Sequence, residues 1–400
     1  MNAQIRGLTM ATRNANDGIA LIRTVENALV EVSGMLQRMR ELAVQSANAT
    51  NSATERAFAN NELNSLQLEI SRVSANTRYN GTQVLNGSFS AKALQVGTMS
   101  GEEINFTIDS VESALLGAYV MVGQNNLGAY AAANTYATTT NDTDDADDIV
   151  ITGNGNERTI DVSANDSAKT VAKKINSVAG ATTVFAQART YAHLASSSAT
   201  SLSYQISING TSSAAFNISS NDVTDAVSKI NAISATTGVM ASATTENKVL
   251  LTDADGDDIV LQNDSTANTH TTLTLAAVEN NGVTEQSATA IALAKGGSTD
   301  SSKVVGTLRL TSSSGFTIAQ PDTGSENDVF FAAGSATAAL ESVSMVDIST
   351  QIGASYSIAT IDGALETVSG MRGSLGTLNN RLDYSVSNLM KVTEYTIGAR

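Results

Sequence analysis

The chain has 400 residues, with 23 Lys and Arg against 39 Asp and Glu, a net charge of −16, one Pro and no Cys or Trp. That balance argues against nucleic acid and anionic membranes as partners, and the absent Cys excludes disulfide frameworks, thiolate metal sites and cysteine nucleophiles. So long a chain exceeds one ordinary core, and with aromatics at only 4% the cores must be built from Ala, Val, Ile, Leu and Met.

The opening "MNAQIRGLTM" has no apolar run of the signal-peptide kind, and no segment reaches the ~18–20 apolar residues that span a bilayer. From there Ile5, Leu8, Thr12, Ala15, Ile19, Ile22, Val25, Leu29, Val32, Leu36, Met39 and Ala43 form a coiled-coil-like seam with one slip near Val25. It predicts a single helix to about Asn48, roughly 70 Å long. A second helix is expected from Thr54, its N-cap, with Leu63, Leu66, Ile70 and Val73 on one side.

The stretch "MLQRMRELAVQSAN" (35–48) sets Arg38, Arg40 and Glu41 among Leu36, Met39, Leu42 and Val44. Helical spacing puts Leu36, Met39 and Ala43 on the core side and Arg38, Leu42 and Gln45 on a more exposed stripe, flanked by Gln37 and Glu41. Two readings stand. An Arg beside an exposed Leu suits a contact surface. Alternatively Leu42 widens the core stripe and Arg38–Glu41 is an ordinary surface pair.

Between Tyr79 and Ile108 the period changes to two. "YNGTQVLNGS" holds two Asn-Gly turns, and "ALQVGTMSGEEINFTI" reads as two strands around a Gly-containing turn. The region 114–342 is rich in Ala, Ser, Thr, Asn, Gly and Asp, and contains a repeat. "TIDVSANDSAKTVAKKINSVAGATTVFA" (159–186) matches "AFNISSNDVTDAVSKINAISATTGVMA" (215–241) with one residue slipped in the helix, giving a duplicated β-α-β module and two sub-domains. Ile358, Ile361, Leu365, Val368, Met371, Leu375, Leu378, Leu382, Val386, Leu389 and Val392 then form a last long stripe, which needs a partner to bury against. The N-terminal helices are that partner. The expected fold is α+β: an elongated helical rod from residues 1–113 and 343–400, with β-rich outer domains inserted at 114–342.

At the two ends the match becomes specific. "NAQIRGLTMATRNANDGI", "ISRVSANTRYNGTQVLNG" and "VDISTQIGASYSIATIDGALETVSGMRGSLGTLNNRLDYSVSNL" resemble the conserved blocks of bacterial flagellins. The resemblance implies a structural subunit of the flagellar filament, serving motility. It also implies secretion through the flagellar export channel without a signal peptide, with an export chaperone, a filament cap and other flagellin subunits as partners. Flagellins carry further terminal helices that drive polymerisation, so this chain resembles a core fragment unable to polymerise by itself. In the family the 35–48 turn packs on neighbouring subunits and is read by the vertebrate Toll-like receptor for flagellin. Carried over, the receptor-facing group is Gln37, Arg38, Leu42 and Glu69, with Glu41 and Gln45 on the same interface.

Other chemistry is sparse. Asp253, Asp255, Asp257 and Asp264 stand at first, third, fifth and twelfth positions of a weak Ca²⁺ loop, but Gly256 is at the fourth position and no Glu closes it. A second acidic run, "DTDDADDIVI" (142–151), reads as a solvated turn. The two histidines, His193 and His270, form no zinc motif, and no nucleophile elbow or phosphate loop occurs. No enzyme and no cofactor is expected. The alternative function is a cell-surface homologue binding extracellular polysaccharide through exposed Tyr191 and Tyr204, with Lys169, Lys173 and Lys174 as a local basic patch. Ser and Thr in the middle also offer sites for O-linked sugars.

Overall fold

The computed structural model describes residues 2–123, 130–133, 143, 148–265, 273–285, 290–295, 300–320, 330–331 and 334–399. They fall into two compact units, one made of Met1–Ala118 with Leu340–Arg400 and the other of Tyr119–Ala339. The class is α+β, with long helices at both ends of the chain and a β-rich middle. The described helices are α1 (Asn2–Ala47), α2 (Ala53–Asn76), α3 (Ala168–Thr182), α4 (Thr224–Asn231), α5 (Ser234–Thr237) and α6 (Gln351–Gly398).

In the first unit α1 packs along α6 and against α2. Ile22, Leu29, Leu36 and Met39 of α1 join Leu63 and Ile70 of α2 and Ile361, Val368 and Leu382 of α6 in one core. Each such side chain contributes about 1.5–3 kcal/mol by leaving water, which offsets the entropy of ordering helices that no isolated sequence of this kind would hold. α2 starts at Ser52 and not at Thr54. Ser52 Oγ accepts from the Glu55 N–H at 3.3 Å and Glu55 Oε2 accepts from the Ser52 N–H at 2.7 Å, a reciprocal capping box.

Beyond α2 the chain makes two hairpins. Arg78–Tyr79 pairs with Thr82–Gln83 through Asn80 (φ 48°) and Gly81 (φ 81°), the left-handed pair of a type I′ turn. Lys92–Gln95 pairs with Glu103–Phe106 and lies on α1, where the Asn14 Nδ2 donates to the Gln95 carbonyl at 3.1 Å. Leu94 rests against Gly18, where a Cβ would stand 2.5 Å from it.

The second unit contains two apolar cores, one under α3 with Val171 and Ile175, the other under α4 with Ala226 and Ile230. Each repeat folds as strand, helix, strand: Asn156–Ile160, α3, Phe185–Ser196, and then Phe216–Ile218, α4 with α5, Val239–Ala243. The slipped residue falls at the start of the second helix, between Asp222 and Lys229, since Lys174, Asn176 and Ala186 match Lys229, Asn231 and Ala241 at one constant spacing. Tyr191 and Tyr204, read as exposed from their Ser- and Thr-rich surroundings, are 2% and 1% exposed. Tyr191 lies in Phe185–Ser196, flanked by strands on either side, and Tyr204 belongs to the core under α4.

Candidate functional site

The 35–48 turn of α1 separates its two kinds of residue cleanly. Leu36, Met39 and Ala43 are fully buried, and so is Leu42 at 2% exposure. This corrects the exposed stripe expected for Leu42. α1 is covered on two sides, by α6 and by α2, so its apolar face is wider than one seam. The exposed set is Gln37, Arg38, Arg40, Glu41, Val44 and Gln45.

The charges tie the helices together. Arg38 donates from Nη1 to Glu41 Oε2 at 3.0 Å on its own helix and from Nε to Glu62 Oε1 at 2.7 Å on α2. These bonds, Glu62's foremost, hold the guanidinium well above the ordinary arginine value. Arg40 reaches the other way, with Nε 2.6 Å and Nη2 3.4 Å from the two oxygens of Asp362 on α6. Arg56, in the first turns of α2, donates to the Ser46 and Asn48 carbonyls at 2.8 and 3.1 Å, closing the open C-terminal end of α1. Glu69 lies about two turns beyond Glu62 on α2, where Arg72 grips it at 2.7 and 2.5 Å and pulls its carboxyl down. Gln37, Arg38, Glu41 and Gln45 therefore share one exposed face of α1. Glu69 belongs to a separate pair on α2, and Leu42 supports the face from beneath.

Sequence reading missed Glu62, Arg56 and Asp362. Only i,i+3 and i,i+4 neighbours are visible in a helix by counting, whereas Arg40 and Asp362 are 322 residues apart.

The other candidates resolve differently. Asp253 Oδ1 accepts N–H groups of Asp255, Gly256 and Asp257 at 2.9, 3.0 and 3.3 Å. Burial raises its carboxyl above the ordinary value against the pull of those donors. Asp255 and Asp257 bind Lys169 Nζ at 3.2 and 2.6 Å, and Asp264 instead bonds the Ser207 hydroxyl. Lysines therefore already sit on three of the four carboxylates, Lys295 Nζ lying 3.9 Å from Asp264, and the fourth, Asp253, faces its own backbone. Among the described residues no group of three or more His, Cys, Asp or Glu is placed to hold a metal ion. Lys174 bonds Asp166 at 2.6 Å, which leaves Lys173 as the exposed member of the basic patch. His193 is 3% exposed, with Nδ1 2.8 Å from Glu285 Oε1. Burial acts to raise the Glu285 carboxyl, but Lys248 and His193 outweigh it and hold the group low. His270 and most of the 142–151 run lie outside the described residues. No described helix is long and apolar enough to cross a membrane.

Comparison with known proteins agrees with the helical ends. Residues 1–90 match the family of the bacterial flagellin N-terminal helical region. The whole chain is 30% identical over 407 residues to the B-type flagellin of Pseudomonas aeruginosa, taking in 80% of that protein. Over 113 residues, 28% of this chain and 30% of the other, it is 49% identical to Flagellin A of Vibrio cholerae. The structure of FliC from Burkholderia pseudomallei aligns with 91% of this chain and 99% of its own at 18% identity, with a TM-score of 0.36. By its identity to a flagellin along its entire length, this chain belongs to the bacterial flagellin family.

Proposed function

We propose that the chain is a subunit of the flagellar filament that meets its neighbours along the exposed faces of α1, α2 and α6. Gln37, Arg38, Glu41 and Gln45 lie at the centre of the α1 contact and Glu69 on the α2 side. The observation that carries this reading is the apolar surface left on these helices. Val44, Phe58, Leu68 and Tyr384 are 49%, 69%, 74% and 78% exposed, large apolar side chains that a neighbouring subunit would cover. Beside them are salt-bridged arginines whose geometry is already set, which suits recognition of a repeating partner.

In this reading residues 1–113 and 343–400 build the filament and 114–342 are its variable outer region. The chain leaves the cell by the flagellar export route without a cleaved signal, served by an export chaperone and a filament cap. The exposed face around Arg38 is also the one a flagellin-sensing Toll-like receptor would read. A polysaccharide-binding role is the weaker alternative, because buried Tyr191 and Tyr204 offer no stacking surface.

The test is direct. Antibodies against residues 148–265 are expected to decorate filaments along their length in electron micrographs, and deletion of the gene is expected to remove those filaments. Filaments that persist unlabelled after deletion would overturn the proposal.

A further inference from the structure

The repeat visible in the sequence is a fraction of a larger one. Strand Phe185–Ser196 has two halves with different neighbours. Residues 185–189 pair with Thr307–Ser312, whose other edge takes residues 119–122. Residues 190–194 pair with Val249–Asp253, whose other edge takes Val239–Ala243. The registers coincide: Ala186, Leu310 and Met121 lie across one part of an eight-stranded sheet as Ala241, Leu251 and Ala192 lie across another part of it. The exposed Phe185 stands opposite Thr311 as the exposed Met240 stands opposite Thr252.

A second sheet repeats as well. The order Asn156–Ile160, Ile149–Gly153, Phe316–Gln320, Gly334–Thr337 is matched by Thr211–Ser212, Ile206–Ile208, Ile259–Asn263, Ser301–Val304, whose outer edge also takes Tyr130–Ala133 from earlier in the chain. Both hairpins turn at left-handed Asn-Gly pairs, Asn154–Gly155 and Asn209–Gly210, and both helical segments end on a left-handed residue, Thr183 or Gly238.

One polar device occurs in both. Asn176 at the middle of α3 donates to the Ala186 carbonyl at 2.9 Å and accepts the Ala186 N–H at 2.8 Å. Asn231 at the end of α4 does the same to Ala241, at 2.8 and 2.8 Å. Each side-chain amide supplies the two bonds that a neighbouring strand would have given.

We propose that the described residues between 190 and 306 form a second copy of the fold nested inside the first, standing where the first copy would have a hairpin turn. Arg189 and Thr307 face each other at the end of the host hairpin. In the inner copy the corresponding strands are joined by the short turn from Thr244 to Lys248. The inner copy is seated by its acidic loop. The connection between Val249–Asp253 and Ile259–Asn263 is longer than the host's between Thr307–Ser312 and Phe316–Gln320, and its extra residues dock on α3. Gly256 accepts the Lys169 N–H at 3.0 Å, while Lys169 Nζ holds Asp255 and Asp257. Gly256 has φ 81°, and a Cβ there would collide with the Ala188 backbone, so only glycine fits the seat. The first turn of α4 carries Thr224 and Asp225 and no cation. The seat is thus one-directional, and the inner copy offers none in return.

Hydrogen exchange of the full chain tests both parts. Asn231→Ala is expected to speed exchange in α4 and Val239–Ala243 by about tenfold, through loss of two partly buried bonds, while α3 and Phe316–Gln320 stay protected. Asn176→Ala should do the reverse. Acceleration of both cores by either substitution, or of neither, overturns the nested copy in favour of one undivided core. If the alanine variant does not fold, Asn231→Asp keeps the acceptor, loses the donor and is read the same way. Lys169→Asp should speed exchange at 168–170 and 254–257 with both cores intact, and adding Asp257→Lys should reverse it. Unchanged exchange at those residues overturns the seat.

Discussion

In the helical unit the apolar residues that face the core are found by counting along one stripe per helix; in the β-rich unit even the neighbours across a sheet come from points that no local pattern marks. Leu29, Leu36 and Met39 follow each other on α1 and reach the same core. Arg189 and Thr307, 118 residues apart, lie across from each other in the sheet. The helical unit spreads its stability over many similar apolar contacts. The other unit concentrates specificity in a few polar groups that close backbone bonds, such as Asn176 and Asn231. Exposed ion pairs such as Arg40–Asp362 add little to the hold of the long helices, whose register rests on the packing of their apolar stripes, whereas strands have theirs set by the buried face and the turns.

The largest expected effect is in the helical core. Leu36 is fully buried between α1, α2 and α6, and Leu36→Ala removes its transfer energy and leaves a cavity, costing about 3 kcal/mol. Exchange should quicken along all three helices, because one continuous core supports them. If the loss stays within a turn or two of position 36, the helical unit is as modular as the β-rich one and the contrast fails.

A smaller effect is expected at the start of α2. Ser52→Ala removes half of the capping box, for about 1 kcal/mol, read by chemical denaturation. The Ser52 backbone N–H, and then its hydroxyl, hold the Glu55 carboxyl below its ordinary value of 4.5. A carboxylate lowered on folding stabilises fully above its unfolded value and loses that contribution as pH falls through the folded one. The parent chain should therefore lose this increment as the pH falls from about 4.5 downwards, and Ser52→Ala, which keeps the backbone N–H and loses the hydroxyl, should weaken that part of the profile without abolishing it. An unchanged profile would mean that the box is not formed in solution.

Those two sites also mark what was legible in the sequence. Periodicity alone located α1 and α6, since an apolar stripe sustained over about ten turns has no competing explanation, and Asn80–Gly81 marked its hairpin. The cap was misplaced by two residues although Ser52 and Glu55 already had the box spacing, because Thr54 also precedes an acidic turn. Leu42 could be placed either on an exposed stripe or on a widened core, because a single seam does not reveal the second partner helix that buries it. The nested connectivity was visible only as a local repeat: which strand Thr307–Ser312 pairs with is decided by three-dimensional closure, and no local pattern encodes it.

The smallest effect on folding, and the sharpest test of the contact surface, belongs to Arg38. Its side chain is 48% exposed and its partners Glu41 and Glu62 are 67% and 46% exposed, so water screens both pairs and Arg38→Ala should leave the melting midpoint of the free chain nearly unchanged. In a filament the same group would be covered by a neighbour, and a desolvated arginine held by two carboxylates contributes far more than an exposed one. Filaments carrying Arg38→Ala should therefore dissociate at lower temperature than parent filaments. Arg38→Lys should recover only part of the difference, since an ammonium does not offer the two-sided fork that Glu41 and Glu62 now share. Equal losses in the free chain and the filament would make Arg38 a tie between α1 and α2 and nothing more, and the centre of the contact would then have to be sought around Phe58 and Leu68 instead.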